Sequence, residues 1–335
     1  MSVIIPKYKK ETLNIRDTQK AIKLVRDIFQ NKLTTSLNLQ RISAPLFVRP
    51  ETGLNDNLSG VERPVSFDVP AIDGAVCEIV HSLAKWKRMT LGRFGFPAGE
   101  GLYTDMNAIR RDERFDNLHS MYVDQWDWCS VINKEDRTVE TLKDVVRRIY
   151  AAMKETQEEV CSIFPCLENN FPDEITFITS QELLDMYPDL SSKERENRIT
   201  KEKKAVFLMQ IGGKLSNGEK HDDRAPDYDD WSLNGDILLY YPVLDLALEL
   251  SSMGIRVDED TLKEQCRIAG TEDRLELDFH KSILDKKLPY TIGGGIGQSR
   301  LCMYMLGKGH IGEVQSSVWD DETYRICEEH GMMLL

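Results

Sequence analysis

Familiar metal and phosphate signatures are scarce in this chain. Its seven cysteines form no CxxC pair, Cys161 and Cys166 being the nearest two, and its six histidines show no HxxxH spacing. No zinc site is legible, and an odd, scattered set of thiols points to a reduced, cytoplasmic protein. No run approaches the roughly 18 apolar residues of a membrane span, and MSVIIPKYKK lacks the apolar region of a signal peptide. An excess of positive charge is also missing. The formal net charge of -13 argues against binding nucleic acid by broad phosphate neutralisation. It leaves room for small anions, which a few focused arginines can hold. There is no GK[ST] phosphate loop, no internal repeat and no low-complexity linker.

What is present is enough for a large core. The chain has 335 residues, 41% of them hydrophobic and 30% charged. Length alone allows two domains, or one large one. Without a composition break, residues 1–335 read as one catalytic domain. Four stretches read as helices. Over 17–33, Ala21, Leu24, Val25 and Ile28 keep helical spacing. Over 141–163, Thr141 and Asp144 offer a cap. The charged run 191–204 reads as a solvated helix, or as a surface for an acidic partner. Residues 274–287 form the fourth. EITFIT, AVFLMQI and DILLYYPVL read as strands. Polar turns such as GGKLSNGEKHDD follow them, which favours antiparallel pairing and an α+β class.

TIGGGIGQSRL, residues 291–301, is the most unusual stretch. A dinucleotide fingerprint would need glycine where Gln298 stands, followed by more chain than the 35 or so residues that remain. The stretch reads instead as a glycine-rich strand entering a helix, with Arg300 in the first turn. Glycines let a flat group approach the backbone, and the arginine offers a fixed cationic fork. Close strand–helix packing with a surface arginine is the plainer alternative. Upstream, IRRDERFDNLHSMYVDQWDW (109–128) gives arginines, an acidic loop and an alternating strand. Tyr122, Asp124, Trp126 and Trp128 share one face of it, and Gln125 and Asp127 the other. ELSSMGIRVD (249–258) adds a carboxylate and an arginine seven residues apart.

Together these segments resemble the catalytic domain of class II aminoacyl-tRNA synthetases. GGGIGQSRL is similar to the third motif, Arg110 through Asp127 to the second, and Pro45 in RISAPLF to the first. The blocks DNLSG, HSLAKWKRMTLGRFGFPAGEGLYTDM, RAPDYDDW, LNGDI and ELSSMGIR extend the likeness. With them, the chain from about residue 10 onward resembles the ammonia-dependent asparagine synthetases, the aspartate–ammonia ligases. The resemblance implies an antiparallel sheet of six to eight strands flanked by helices, dimerising near Pro45. It implies L-aspartate, ammonia and ATP as substrates, Mg²⁺ as cofactor and a β-aspartyl-adenylate intermediate.

The resemblance also implies roles. Lys87 and Arg256 are expected to hold the aspartate side-chain carboxylate, and Gln125 and Asp127 its ammonium, with Ser82 assisting and Ser251 in the same pocket. Arg110 is expected at the α-phosphate, its neighbour Arg111 being the alternative, and Arg300 by the adenine or the γ-phosphate. Asp229 and Gly295 join them in the ATP site. Asp236 and Glu249 match positions that hold Mg²⁺ through oxygen. Asp56 is the candidate that takes a proton from ammonium, with Asp229 second. Plainer readings stand beside these: Lys87 as a surface residue of a helix, Asp127 as a solvated strand residue, Asp236 and Glu249 as rim residues, Asp56 as a turn aspartate. A tRNA synthetase would need an anticodon-binding domain, and glutamine-dependent synthesis a glutaminase domain; neither is legible. A non-catalytic paralogue would be expected to lose Arg110, Arg300, Asp236 or Glu249, and all four stand. Between PDYDDW and LNGDI, where the family leaves room for a loop, only serine intervenes. The residues after Gln315 match nothing assigned.

Overall fold

A computed structural model describes residues 3–8, 13–58 and 60–335. The elements run in order α1 (Ile15–Leu37), β1 (Leu39–Arg41), β2 (Phe47–Val48), β3 (Ser66–Val69), β4 (Ala75–Ile79), α2 (Ala84–Phe94), β5 (Gly101–Ile109) and β6 (Tyr122–Val131). Then come α3 (Val139–Ile163), β7 (Thr176–Thr179), α4 (Ser180–Met186), α5 (Ser192–Lys203), β8 (Ala205–Met209), β9 (Asp229–Tyr241) and β10 (Leu246–Arg256). The chain closes with α6 (Glu259–Ala269), α7 (Asp278–Leu284), β11 (Thr291–Gly297), α8 (Gln298–Met305) and α9 (Asp321–Glu329).

Eight strands form one sheet in the order β1-β5-β6-β11-β10-β9-β8-β7. The six inner strands are antiparallel, as the short polar turns suggested. The edges are not: β1 runs parallel to β5 and β7 parallel to β8. The sheet is thus largely antiparallel with parallel edges, within the mixed or antiparallel class expected. α4 and α5 carry the chain across between β7 and β8, and a crossover permits parallel pairing. A second, three-stranded sheet, β2-β4-β3, was not foreseen. Pro45 lies in the link between β1 and β2.

The core lies under one face of the large sheet. Ala21, Val25, Phe29 and Leu33 make the buried stripe of α1, and Phe29 meets Trp126 with ring centroids 4.8 Å apart. Trp126 and Trp128 are almost wholly buried in that layer with residues of α3 and α8. The alternation read from β6 holds: the tryptophans enter the core, so Gln125 and Asp127 face away from it.

Helix ends differ in detail. α3 starts at Val139, because the Thr138 hydroxyl accepts from Thr141 N at 3.2 Å and is the cap. Residues 274–287 are split between a 3-10 helix, Glu272–Glu276, and α7 rather than forming one helix. Leu277 is extended (φ -77°, ψ 154°) and packs beneath Gly53, which breaks the run. No loop separates PDYDDW from LNGDI: both lie within or against the continuous strand β9, so the expected shortened loop does not exist. No helix among the described residues is long and apolar enough to cross a membrane.

Candidate active site

On the face opposite the core, the inner strands floor a cavity of about 480 Å³. Its floor is β6, β11 and β10. Register sets Gly295 opposite Asp127, Gly297 opposite Gln125 and Ser252 opposite Gly295. The glycines of β11 are needed because neighbouring side chains lie over its backbone. A Cβ at Gly293 would stand 2.8 Å from Arg256 Nη2, and one at Gly295 would strike the Gln125 amide. The glycine stretch therefore first makes room for two side chains of the site itself. Walls come from the Asp56 turn, the link before α2 with Ser82, the β5–β6 connection with Arg110, the segment 222–229, and Arg300 at the start of α8.

One end is built around buried ion pairs. Lys87 has no exposed surface. Its Nζ donates to Asp127 Oδ1, to Trp128 O at 2.9 Å and to Gly294 O at 3.1 Å. An ammonium has three donors, so all are engaged. Burial lowers the Lys87 pKa, with Asp127 opposing that shift. Lys87 thus does not line the cavity; it stands behind Asp127, which does. The exposed-helix reading does not describe it. Asp127 also accepts from Leu83 N at 3.2 Å, so it is no solvated strand residue.

Arg256 donates to Asp229 Oδ1 within the cavity wall. Burial opposes the charge on Arg256, but Asp229 outweighs it and raises the guanidinium pKa. Burial likewise raises the Asp229 pKa despite the pull of Arg256. Asp229, expected with the nucleotide, therefore sits with Arg256 and Tyr228, over whose ring the guanidinium lies at 5.7 Å. Ser251 is buried, and its Oγ has no hydrogen-bond partner. Asp56 is also buried. Its Oδ1 accepts from Leu58 N at 2.9 Å, a local turn bond, while the residue lines the cavity, so its turn role and its place in the site coexist.

The other end gathers Arg110, Arg300, Arg224 and Glu249, with Asp236 behind Arg224 and not itself lining the cavity. Arg110 lines the cavity with a buried Nε that has no hydrogen-bond partner. Arg300 donates to Glu249 O at 3.1 Å, and its Nη1 is 3.9 Å from Glu249 Oε1. Asp236 is buried, with Oδ2 bonded to Arg224 Nη2 and Oδ1 without a partner. Burial raises the Asp236 pKa; Arg224 opposes this and the neighbouring Glu249 charge adds to it. Burial would raise Glu249 as well, but Arg300 and Arg224 pull it down. No group of three or more metal-capable side chains occurs among the described residues.

Arg224 and Tyr228 were not singled out from the sequence, although both lie in the quoted block RAPDYDDW. Spacing alone could not reveal Arg224 as the partner of Asp236, because the chain bends back between them. A further wall was also missed. Asp124 accepts from Arg26 Nη2 at 2.7 Å and from Ser299 N at 3.1 Å, and Gln315 Nε2 reaches it at 3.3 Å. Asp124, Ser299 and Gln315 all line the cavity.

Comparison with known proteins agrees across sequence and fold. Residues 16–331 match the family model described as aspartate-ammonia ligase. The aspartate–ammonia ligase of Ruminiclostridium cellulolyticum is 62% identical over 334 residues, covering 100% of this chain and 99% of that protein. That of Clostridium tetani is 63% identical over 333 residues, covering 99% and 98%. Among solved structures, asparaginyl-tRNA synthetase from Pyrococcus horikoshii complexed with asparaginyl-adenylate gives a TM-score of 0.63 at 14% identity, covering 91% of this chain and 70% of that one. The Entamoeba histolytica asparaginyl-tRNA synthetase in complex with asparaginyl-adenylate gives 0.61 at 13%, covering 89% and 66%. At that identity the likeness concerns the fold, which is that of a class II synthetase catalytic domain.

Proposed function

This chain belongs to the aspartate–ammonia ligase family, and on that premise we propose how its cavity carries the reaction. The enzyme converts ATP, L-aspartate and ammonia into L-asparagine, AMP and diphosphate through β-aspartyl-adenylate. A carboxylate is a poor acyl donor, and adenylation supplies a leaving group. The protein must then present the β-carboxylate to the α-phosphorus and afterwards present ammonia to the acyl carbon.

The observation that carries this reading is the polarity of the cavity along β11. Arg256 lies over Gly293, whereas Arg300 follows Gly297. Four strand residues separate the two positions by about 13 Å. Arg110 and Arg300 form the phosphate end. The reacting β-carboxylate faces that end, so Arg256 holds the carboxylate that does not react, the α-carboxylate. This revises the side-chain assignment made from the sequence. Gln125 and Asp127 take the substrate ammonium, with Ser82 and Ser251 beside them. Lys87 acts through Asp127, fixing its carboxylate. A neutral amide in place of the β-carboxylate would forgo its charge-assisted bonds at the phosphate end.

Arg110 holds the α-phosphate and stabilises charge as phosphorus becomes five-coordinate. Arg300 holds the adenine or the γ-phosphate. Asp236 and Glu249 would hold Mg²⁺. Their oxygen donors suit a hard cation, and the orphaned Asp236 Oδ1 is a buried acceptor without a donor. Two carboxylates are enough for Mg²⁺ when phosphates and water complete its shell. The ion would neutralise phosphate charge. Arg224, which bonds Asp236, orients that carboxylate.

Asp56 takes a proton from NH₄⁺. The resulting NH₃ forms the new C–N bond as the acyl C–O bond to AMP breaks; AMP leaves with that oxygen, and the nitrogen gives up a second proton to the departing phosphate to become the amide NH₂. Asp56→Asn is expected to lower the ammonia-dependent step far more than pyrophosphate–ATP exchange. Equal losses in both would remove Asp56 from this role, and the same selective loss in Asp229→Asn would transfer it there.

Residues 1–335 act as one catalytic domain. A homodimer near Pro45 is supported by the exposed Leu46, Phe47 and Phe67, the two phenyl rings 5.3 Å apart. Light scattering tests it, and a fully active monomer would count against it. Seven free cysteines fit a cytoplasmic enzyme. The primary test supplies ATP, Mg²⁺ and aspartate, with and without ammonium. AMP and asparagine should appear together only with ammonium. Pyrophosphate exchange without asparagine, rescued by tRNA, would overturn the reading.

A further inference from the structure

Behind the cavity, side chains from four separate segments meet at one oxygen atom. Asp227 Oδ2 accepts from Lys85 Nζ of α2 at 2.8 Å and lies 2.9 Å from His280 Nε2 of α7. Arg274 Nη1 is 3.5 Å away. Asp227 and His280 have no exposed surface, and Lys85 has 3%. None of the three lines the cavity. Burial alone would raise the Asp227 carboxyl, but Lys85 and His280 hold it well below the usual carboxylate range. The cluster is therefore charged and closed to substrate.

Its neighbours explain what it can do. Asp227 immediately precedes Tyr228 and Asp229, which do line the cavity. The same segment is threaded by Gln265 of α6. Gln265 Nε2 donates to Pro226 O and Asp229 O, both at 2.9 Å, and its Oε1 accepts from Trp231 N at 2.8 Å. On the far side, His280 touches the base of the turn that carries Asn55 and Asp56. A Cβ on Gly53 would lie 3.3 Å from His280 Nδ1 and 2.9 Å from Leu277 Cβ. Gly53 has φ +67°, so the turn approaches the ring through a residue that favours glycine. His280 is thus the shared contact between the Asp56 turn and the Asp229 segment.

We propose that Lys85, Asp227 and His280 are positioning residues for the ligase reaction, holding the Asp56 turn and the Tyr228–Asp229 segment in fixed relation across the aspartate pocket. This rests on the assignment of ammonium handling to Asp56. The two sides are not held equally. Without the His280 hydrogen bond, Asp227 keeps Lys85, and the segment keeps Gln265, so aspartate binding and adenylation persist. The Asp56 turn keeps Asn55, whose Oδ1 accepts from His81 N at 2.9 Å, and the contact of Asp56 O with His81 Nδ1 at 3.0 Å, but the ring beneath Gly53 is no longer tied to Asp227. The ammonia step should suffer selectively.

His280→Phe keeps a ring beneath Gly53 but cannot bond Asp227; His280→Gln keeps a donor near Nε2. Ammonium KM in the full reaction and pyrophosphate–ATP exchange without ammonium are measured for both. His280→Phe should raise ammonium KM about tenfold and leave exchange within about twofold, and His280→Gln should restore ammonium KM to within about twofold. A merely structural residue would lower both activities in proportion or leave ammonium KM unchanged; either result overturns the proposal. Asp56→Asn separates the two ideas. A selective ammonia defect in Asp56→Asn without one in His280→Phe defeats the positioning role alone. An ammonia defect in His280→Phe without one in Asp56→Asn defeats the Asp56 assignment. Should His280→Phe fail to fold, Gly53→Ala presses the same contact from the turn side. It should show the same selective rise, and an unchanged ammonium KM there overturns the proposal.

Discussion

Lys87→Met decides between two roles for one lysine. If Lys87 binds aspartate directly, its loss should weaken substrate binding and leave the empty protein nearly as stable as before. The geometry says otherwise. The ammonium is wholly buried, and its three donors go to Asp127 Oδ1, Trp128 O and Gly294 O. Removing it leaves the Asp127 carboxylate buried with only the Leu83 backbone donor beside it. Breaking a buried pair from one side costs about 3–5 kcal/mol, because the remaining charge is uncompensated. Asp127→Asn added to Lys87→Met removes that charge. The double variant should recover about 1–3 kcal/mol relative to the sum of the two single losses. Denaturant unfolding of the ligand-free wild type, both single variants and the double variant gives the four free energies. Aspartate KM should stay impaired in the double variant, since Asp127 itself lines the cavity and is the residue proposed to take the substrate ammonium. A Lys87→Met cost below about 1 kcal/mol, or strictly additive losses, would refute the reasoning.

Gly295→Ala should leave stability nearly unchanged yet raise aspartate KM, because its Cβ displaces the flexible end of Gln125 rather than backbone. Loss of one bond to a charged group is worth about 1.5–3 kcal/mol, and Gln125→Ala should abolish any further effect of the alanine; independent losses would contradict this. His310 gives a pH signature. Burial pushes its pKa down to about 4 from 6.5, and its Nδ1 accepts from Gly312 N at 3.0 Å, so the native ring is neutral. The unfolded chain binds the proton more readily. The contribution is therefore fully present above about pH 6.5 and lost as pH falls towards 4, roughly 3 kcal/mol in all. Buried Glu313, whose pKa is raised, contributes the opposite slope, so the comparison must be with His310→Asn, which can still accept from Gly312. Equal pH dependence of unfolding in the two proteins would refute the assignment.

Much of the site was legible because its demands are local. The run from Thr291 to Leu301 needs absent side chains and a helix turn, and both show in its eleven consecutive residues. The β6 alternation is equally local, since period two alone sends Trp126 and Trp128 to the core and Gln125 and Asp127 to the cavity. The helix at 191–204 was legible as a charged run, and in the structure Ser191 and Glu194 form its reciprocal cap. Where local signals competed, tertiary packing prevailed. Residues 274–287 carry a helical pattern, yet Leu277 turns out of it to fill the space under Gly53.

Sequence by itself therefore determined, through the family it resembles, the class of fold and the chemistry to expect, together with several residues of the cavity. Only the tertiary structure decided which charge neutralises which. Lys87 meets Asp127 across 40 residues, Lys85 meets Asp227 across 142, and Arg256 meets Asp229 across 27. Electrostatic energy depends on separation in space and on burial, and neither is written in the spacing along a chain. That is why a lysine expected at the cavity surface stands behind the Asp127 carboxylate, and why an aspartate expected beside ATP is paired with Arg256.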